Sequence, residues 1–100
     1  MTKEEFEENL KQARLPENLE AGIWRYVMKG VRPGDTLVAL FTGDMFAFFS
    51  RADERTQEMT GELVRFVVSM CPSGCSGGRD QLNRWVQQGG LEGLELLRLN

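Results

Sequence analysis

The chain has 100 residues, of which 41% are hydrophobic and 27% are charged, and it contains no histidine. This length fits one domain and excludes a multidomain enzyme, and the missing histidine excludes Ser–His–Asp triads, histidine-ligated zinc and imidazole acid–base catalysis. The net charge is −3 and the sequence has no basic stripe, so we do not expect non-specific nucleic-acid binding. No apolar run reaches the ~20 residues that a membrane span needs, so we do not expect membrane association.

The first two predicted elements are helices. Thr2 and Glu5 have the spacing of a capping box, which predicts a helix over about 3–14 with a strongly acidic surface. Apolar residues recur at helical spacing over 17–29 and predict the second helix. Gly22 lies inside that helix and indicates that a neighbouring element crosses closely there.

Residues 36–49 are apolar nearly all round, and Asp44 is their only charge. We expect Asp35 to cap a helix over this segment, and a helix that is apolar on every side is either central or shared with another chain. A strand pair that turns at 42–44 is the alternative. The composition leaves both open.

The second half of the chain predicts two further helices and a tail. The clearest helical stripe steps by four, three and four residues through Met59, Leu63, Phe66 and Met70. Asp53 is the predicted N-cap of that third core helix. A short helix follows over 79–88. Residues 91–100 are rich in leucine but interrupted by glycine, which is typical of a packed tail, an edge strand or an oligomer contact.

Together these elements predict an all-α single domain of four to five short helices. We divide it into an acidic N-terminal helix over 1–14, a helical core over 15–88 and a leucine-rich tail over 89–100. The start of the chain lacks the apolar segment of a secretory signal, so we expect a cytoplasmic protein.

A series of short motifs runs through residues 15–86. The motifs are Leu15-Pro16-Glu17, Gly22-Ile23-Trp24-Arg25-Tyr26, Pro33-Gly34, Arg51-Ala52-Asp53, Pro72, Cys75, Gly77 and Trp85. In this order they resemble a family of small, mostly uncharacterised phage and prophage proteins. The resemblance implies a phage origin and a small helical fold, and it favours a helix over 36–49. Phe46, Phe48 and Phe49 stand where that family often has charged residues, which indicates a contact surface of this chain's own.

The glycine-rich loop over 73–78 is the first candidate site. Backbone N–H groups of Gly77 and Gly78, at the start of a helix, could bind an anion. Arg79 and Arg84 follow on that helix, so the site would suit a phosphate-bearing small molecule. Turn geometry alone also explains the glycines.

Other site chemistry is not indicated. Cys71 and Cys75 cannot complete a zinc site by themselves, and their spacing is not that of a thiol oxidoreductase. We therefore expect two reduced thiols, no metal, no cofactor and no catalytic residue.

From these features we expect a non-enzymatic, phage-encoded binding protein in the host cytoplasm. It would act in counter-defence by blocking a host protein or complex, through its acidic start or through an aromatic surface formed by Phe41, Phe46 and Phe49. The few polar residues over 36–49 also predict a homo-oligomer. The alternatives are sequestration of a nucleotide-type signal at the glycine-rich loop and a structural or assembly role in the virion.

Overall fold

The computed structural model describes residues 1–99, and all regular secondary structure in that range is helical. The helices are α1 (Lys3–Ala13), α2 (Glu17–Lys29), α3 (Asp35–Thr42), α4 (Met45–Arg51), α5 (Glu54–Glu58), α6 (Thr60–Met70), α7 (Arg79–Gln88) and α8 (Gly90–Leu99). The predicted all-α, single-domain class is confirmed. The predicted count of four to five helices is wrong, because eight helices occur between residues 1 and 99.

The start of α1 has the predicted capping box. The Glu5 backbone N–H donates to the Thr2 hydroxyl at 3.0 Å, and the Thr2 N–H donates to the Glu5 carboxylate at 3.3 Å. Both contacts satisfy donors that a helix start would otherwise leave unpaired. The bounds of α1, α2 and α7 agree with the predicted ones to within one residue.

The segment 36–49 forms two helices rather than one helix or a strand pair. Gly43 ends α3 in a left-handed conformation with φ of 81°, which favours glycine because it lacks a Cβ. Asp44 then starts α4, and its carboxylate accepts a hydrogen bond from the Ala47 backbone N–H at 3.1 Å. The chain changes direction between these two caps.

Two other predicted caps differ from the structure. Gly34 is the N-cap of α3, and its extended backbone makes Asp35 the first residue of the helix instead of its cap. Asp53 is an N-cap, but it starts the short helix α5 rather than α6. Its carboxylate accepts a 2.8 Å hydrogen bond from the Thr56 N–H, which lowers the pKa of Asp53.

The leucine-rich end of the chain is a helix, α8, packed on the end of α2. A Cβ atom added to Gly90 would lie 2.6 Å from the backbone nitrogen of Gly30, so the two backbones are in direct contact. Lys29 forms an ion pair with Glu92 at 3.3 Å beside this contact. The first turn of α8 therefore packs directly against the end of α2.

One core joins these helices. Its largest fully buried side chains are Tyr26, Phe6, Phe41, Phe48, Ile23 and Leu63. The close crossing predicted at Gly22 is confirmed, because a Cβ atom there would lie 2.8 Å from Cδ1 of Leu37. The large apolar side chains that are at least half exposed lie on α4 with α6 and at the end of α8, while Met1, Val31 and Met70 are exposed to a smaller fraction.

Candidate functional site

The most unusual surface of the molecule is apolar and lies on α4 and α6. We call it the α4–α6 face and define it by Met45, Phe46, Phe49, Val64 and Val68. Phe46 is 93% exposed, Val68 is 74% exposed and Phe49 is 50% exposed. Single exposed apolar residues are common on proteins, but a contiguous group of large ones marks a contact surface.

The local sequence explains why Phe46 points outward. Phe48 is fully buried and anchors α4 in the core. Side chains two residues apart on a helix point in nearly opposite directions, so the burial of Phe48 turns Phe46 to solvent. Phe49 lies three residues after Phe46 and therefore on the same side of α4.

A groove of about 260 Å³ lies on this face, and Met45, the residue before Phe46, is part of its lining. Its walls come from the end of α3, the start of α4, one side of α6 and the loop before α7. The lining residues are Leu40, Phe41, Thr42, Gly43, Met45, Val64, Val67, Val68, Ser76 and Gly77. None of these residues is charged, so the groove suits an apolar side chain.

Phe41, predicted as part of the contact surface, is fully buried. Its ring packs against the ring of Tyr26 with 4.7 Å between the centroids. The break at Gly43 explains the error, because it changes the phase of the helix between Phe41 and Phe46. Of the three predicted surface phenylalanines, the structure exposes only Phe46 and Phe49.

The glycine-rich loop packs against the core. The Gly77 N–H donates a 3.0 Å hydrogen bond to the carbonyl oxygen of Phe41, so it is already paired. Gly78 is the N-cap of α7, and Arg79 follows as an exposed first residue of that helix. Of the two glycine amides proposed for an anion, one therefore has a structural partner.

Arg84 is also exposed, and its Nε donates to the carbonyl oxygen of Asp80 at 3.4 Å. Trp85, the next residue, is buried and donates from Nε1 to the carbonyl oxygens of Tyr26 and Val27 at 3.1 and 3.2 Å. Helix α7 is thus fixed to α2 by its tryptophan, while its arginines face solvent.

The two cysteines lie in the core next to Tyr26. Cys71 and Cys75 are free thiols and both are buried. A hydrogen bond with the Cys75 side chain, together with burial, raises the pKa of Cys71. A raised pKa leaves little thiolate, which is the reactive form, so Cys71 is poorly suited to nucleophilic chemistry.

A second groove, of about 370 Å³, is polar and lies where α2, α3 and α5 meet. Several residues of the short sequence motifs between residues 15 and 86 line it, among them Arg25, Gly34, Arg51 and Asp53. Arg51 pairs with Asp35 at 3.4 Å, and the Asp53 carboxylate caps α5. The structure brings these separated motifs together, which no spacing in the sequence indicated.

Sequence reasoning missed Val68 as a surface residue and placed it, with Val64, on the core stripe of α6. Val64 is half-buried and packs against the core, whereas Val68 is 74% exposed. A signal was present, because Val68 lies more than about 100° around the helix from Leu63, off the stripe.

Within residues 1–99, no group of three or more Cys, Asp or Glu side chains is placed to hold a metal ion. Over the same range, no helix is long and apolar enough to cross a membrane. No protein-family model, curated protein or solved structure matches the chain.

Proposed function

We propose that the chain is a non-enzymatic binding protein that contacts another protein through its α4–α6 face. The observation that carries this proposal is the 93% exposure of Phe46, whose neighbour Met45 lines an uncharged groove. Phenylalanine buries 150–250 Å² in a typical contact, and aromatic side chains often anchor protein interfaces. Phe46 lies in the first turn of a helix that Asp44 caps and Phe48 anchors in the core, so its ring is presented to solvent.

The cellular part of the proposal comes from the sequence. The motif order between Leu15 and Trp85 resembles small phage and prophage proteins, so we propose a phage protein that acts in the host cytoplasm. Binding without catalysis would serve counter-defence by blocking a host protein or complex. Such a block requires only that the chain covers a functional surface of the host protein, and the α4–α6 face would make that contact.

The glycine-rich loop supports nucleotide sequestration less well. The pairing of the Gly77 N–H with Phe41 leaves fewer backbone donors for a phosphate than the sequence predicted. Arg79 and Arg84 are exposed rather than converging on an enclosed site. The α4–α6 face therefore takes precedence as the proposed site.

Affinity capture from a host lysate tests the proposal. The wild-type chain is compared with Phe46→Glu and with Leu96→Glu. Leu96 is the control because it is also a large, exposed apolar residue, 63% exposed, but lies on α8. We expect the same captured protein with the wild type and Leu96→Glu, and its loss with Phe46→Glu. Equal capture by all three chains would contradict a contact through Phe46.

A further inference from the structure

We infer that one side of α7, together with Arg32 of the α2–α3 connection, binds a carboxylate-rich segment of a partner protein. We call this surface the α7 strip and define it by Arg32, Arg79, Asn83 and Gln87. All four residues are exposed. The inference does not rest on the α4–α6 face, which shares none of these residues.

The residues of the strip are neighbours in space. Arg79, Asn83 and Gln87 follow one another at intervals of four residues, so they lie on the same side of α7. A guanidinium nitrogen of Arg32 donates to the side-chain oxygen of Asn83 at 3.2 Å. Because Asn83 lies about one helical turn beyond Arg79, roughly 6 Å along the axis, the strip brings two arginines into adjacent positions.

The charges of these two arginines are not neutralised within the described chain. Neither Arg32 nor Arg79 forms an ion pair with a carboxylate of residues 1–99, whereas Lys3, Lys29 and Arg51 each do. Two like charges at adjacent positions repel each other, and a carboxylate that binds both relieves that repulsion. The strip therefore favours an anionic partner.

The core holds both parts of the strip in place. Leu82 and Trp85 are the buried side chains of α7. Trp85 donates from Nε1 to the carbonyl oxygens of Tyr26 and Val27, near the end of α2. Arg32 follows α2 closely in the sequence, so the contact that fixes α7 to α2 also sets Arg32 beside α7. A surface that is already ordered loses less conformational entropy when it binds.

The exposure of the strip indicates a macromolecular partner rather than a small anion. Sites for small molecules are concave and bury about 70–90% of the ligand surface. The strip instead consists of exposed side chains along one helix. Arginine is also enriched in protein–protein interfaces, where lysine is depleted.

The composition of the strip favours an acidic protein segment over a nucleic acid. A protein that binds nucleic acid through its backbone typically contacts about 6–10 phosphates, and single-stranded forms also stack their bases on aromatic side chains. The strip has two arginines and no aromatic residue, and the net charge of the chain is −3. Two carboxylates of a short segment match the two arginines, and the side-chain amides of Asn83 and Gln87 provide further donors.

Fluorescence anisotropy of a labelled deca-glutamate peptide tests the inference. We expect the wild-type chain to bind this peptide more tightly than a single-stranded oligothymidine of the same length. Arg32→Gln and Arg79→Gln should each weaken peptide binding by roughly 2–5-fold, and the double variant by roughly tenfold. The melting temperatures should stay close to that of the wild type, because both positions are exposed.

Arg65→Gln is the matched control. Arg65 is an exposed arginine of α6, outside the strip, and its replacement changes the net charge of the chain by the same amount. We expect Arg65→Gln to bind deca-glutamate as the wild type does. An equal loss of binding in Arg65→Gln overturns the inference, because it would show a response to net charge alone. Tighter binding of oligothymidine, or no peptide binding up to the solubility limit of the chain, overturns it as well.

The outcomes also separate this inference from the proposed function. Phe46→Glu should bind deca-glutamate as tightly as the wild type, because Phe46 lies outside the strip. Failure to capture a host protein through Phe46 would therefore contradict the proposed function and leave the α7 strip standing. Failure to bind deca-glutamate would contradict the α7 strip and leave the proposed function standing.

Discussion

The buried hydroxyl of Tyr26 donates a 2.6 Å hydrogen bond to the backbone carbonyl oxygen of Cys75. This contact ties the middle of α2 to the loop between α6 and α7, 49 residues further along the chain. The same loop contributes Ser76 and Gly77 to one wall of the α4–α6 groove. The shape of the contact face therefore depends on a bond in the core.

We expect Tyr26→Phe to lower the free energy of unfolding by about 1–3 kcal/mol, because it leaves the buried Cys75 carbonyl oxygen without its donor. Urea denaturation measures the change. Arg79→Ala, at an exposed helix start, is the control and should change stability by less than about 0.5 kcal/mol. A Tyr26→Phe effect as small as that of the control would contradict a structural role for the bond.

The stability of the chain should decrease in alkaline solution because of the same tyrosine. Burial, with the neighbouring Cys75 and Cys71, raises the pKa of Tyr26 above its ordinary value of about 10. The unfolded state then loses this proton before the folded state does. Above pH about 10, the free energy of unfolding should therefore fall by about 1.4 kcal/mol per pH unit from this group.

The comparison with Tyr26→Phe isolates that contribution, because Tyr26 is the only tyrosine in the chain. We expect the pH dependence of urea denaturation to be shallower for Tyr26→Phe than for the wild type above pH about 10. Absorbance of tyrosinate gives an independent measurement of the same ionisation. Parallel pH curves for the two chains would show that Tyr26 titrates normally in the folded state.

Gly90→Ala should be strongly destabilising, because its Cβ would lie 2.6 Å from the backbone nitrogen of Gly30. Gly90 also has φ of 68°, a conformation that costs other residues about 1–2 kcal/mol. The clash should add about 1–3 kcal/mol. Thermal and urea denaturation measure the total.

Gly43→Ala is the matched control for that prediction. Gly43 has a similar φ of 81°, but no atom lies within 4 Å of an added Cβ. Its cost should therefore be the conformational part alone, about 1–2 kcal/mol. Equal effects of the two substitutions would show that α8 and α2 are not in close backbone contact.

The glycine-rich loop gives a prediction on ligand binding. We expect nucleotides and cyclic nucleotides to leave the melting temperature of the wild type unchanged, because the Gly77 N–H is paired with Phe41. Arg79→Ala should behave in the same way. A thermal shift with one of these ligands that disappears in Arg79→Ala would restore the loop as a binding site.

The sequence predicted the elements whose local signals agree with their packing. The capping box at Thr2 and the apolar spacing over 17–29 each reflect contacts within one helix, so no tertiary information was needed. The break at Gly43 was harder to predict, because both α3 and α4 are rich in apolar residues although they bury different faces. Side by side in the sequence, these two helices look like one segment that is apolar on every face.

The helix at the end of the chain could not be assigned for a different reason. Glycines are unfavourable within helices, so the run from Gly89 to Gly93 indicated a tail. In the fold, Gly90 allows the close approach of α8 to Gly30. This close packing is a contact between residues 60 positions apart in the sequence. Helix propensity describes each residue within its own helix, so it could not predict this contact.

The candidate site was predicted in part. Phe46, Phe48 and Phe49 stood out because the resembling family often has charged residues at these positions, and of the three only Phe48 is buried. The groove beside them combines residues of α3, α4, α6 and the loop that follows α6, and only the fold brings these together. Phe41 was misplaced because the phase of the helix changes at Gly43.

Photocrosslinking from position 46 in host cells tests the central claim most directly. Phe46 is replaced by the photoreactive residue benzoyl-phenylalanine, and Leu96 carries the same replacement as the control. The account predicts a covalent adduct with one host protein from position 46 and no such adduct from position 96. Adducts from position 96 alone, or none from either position, would contradict the claim that the α4–α6 face is the contact surface.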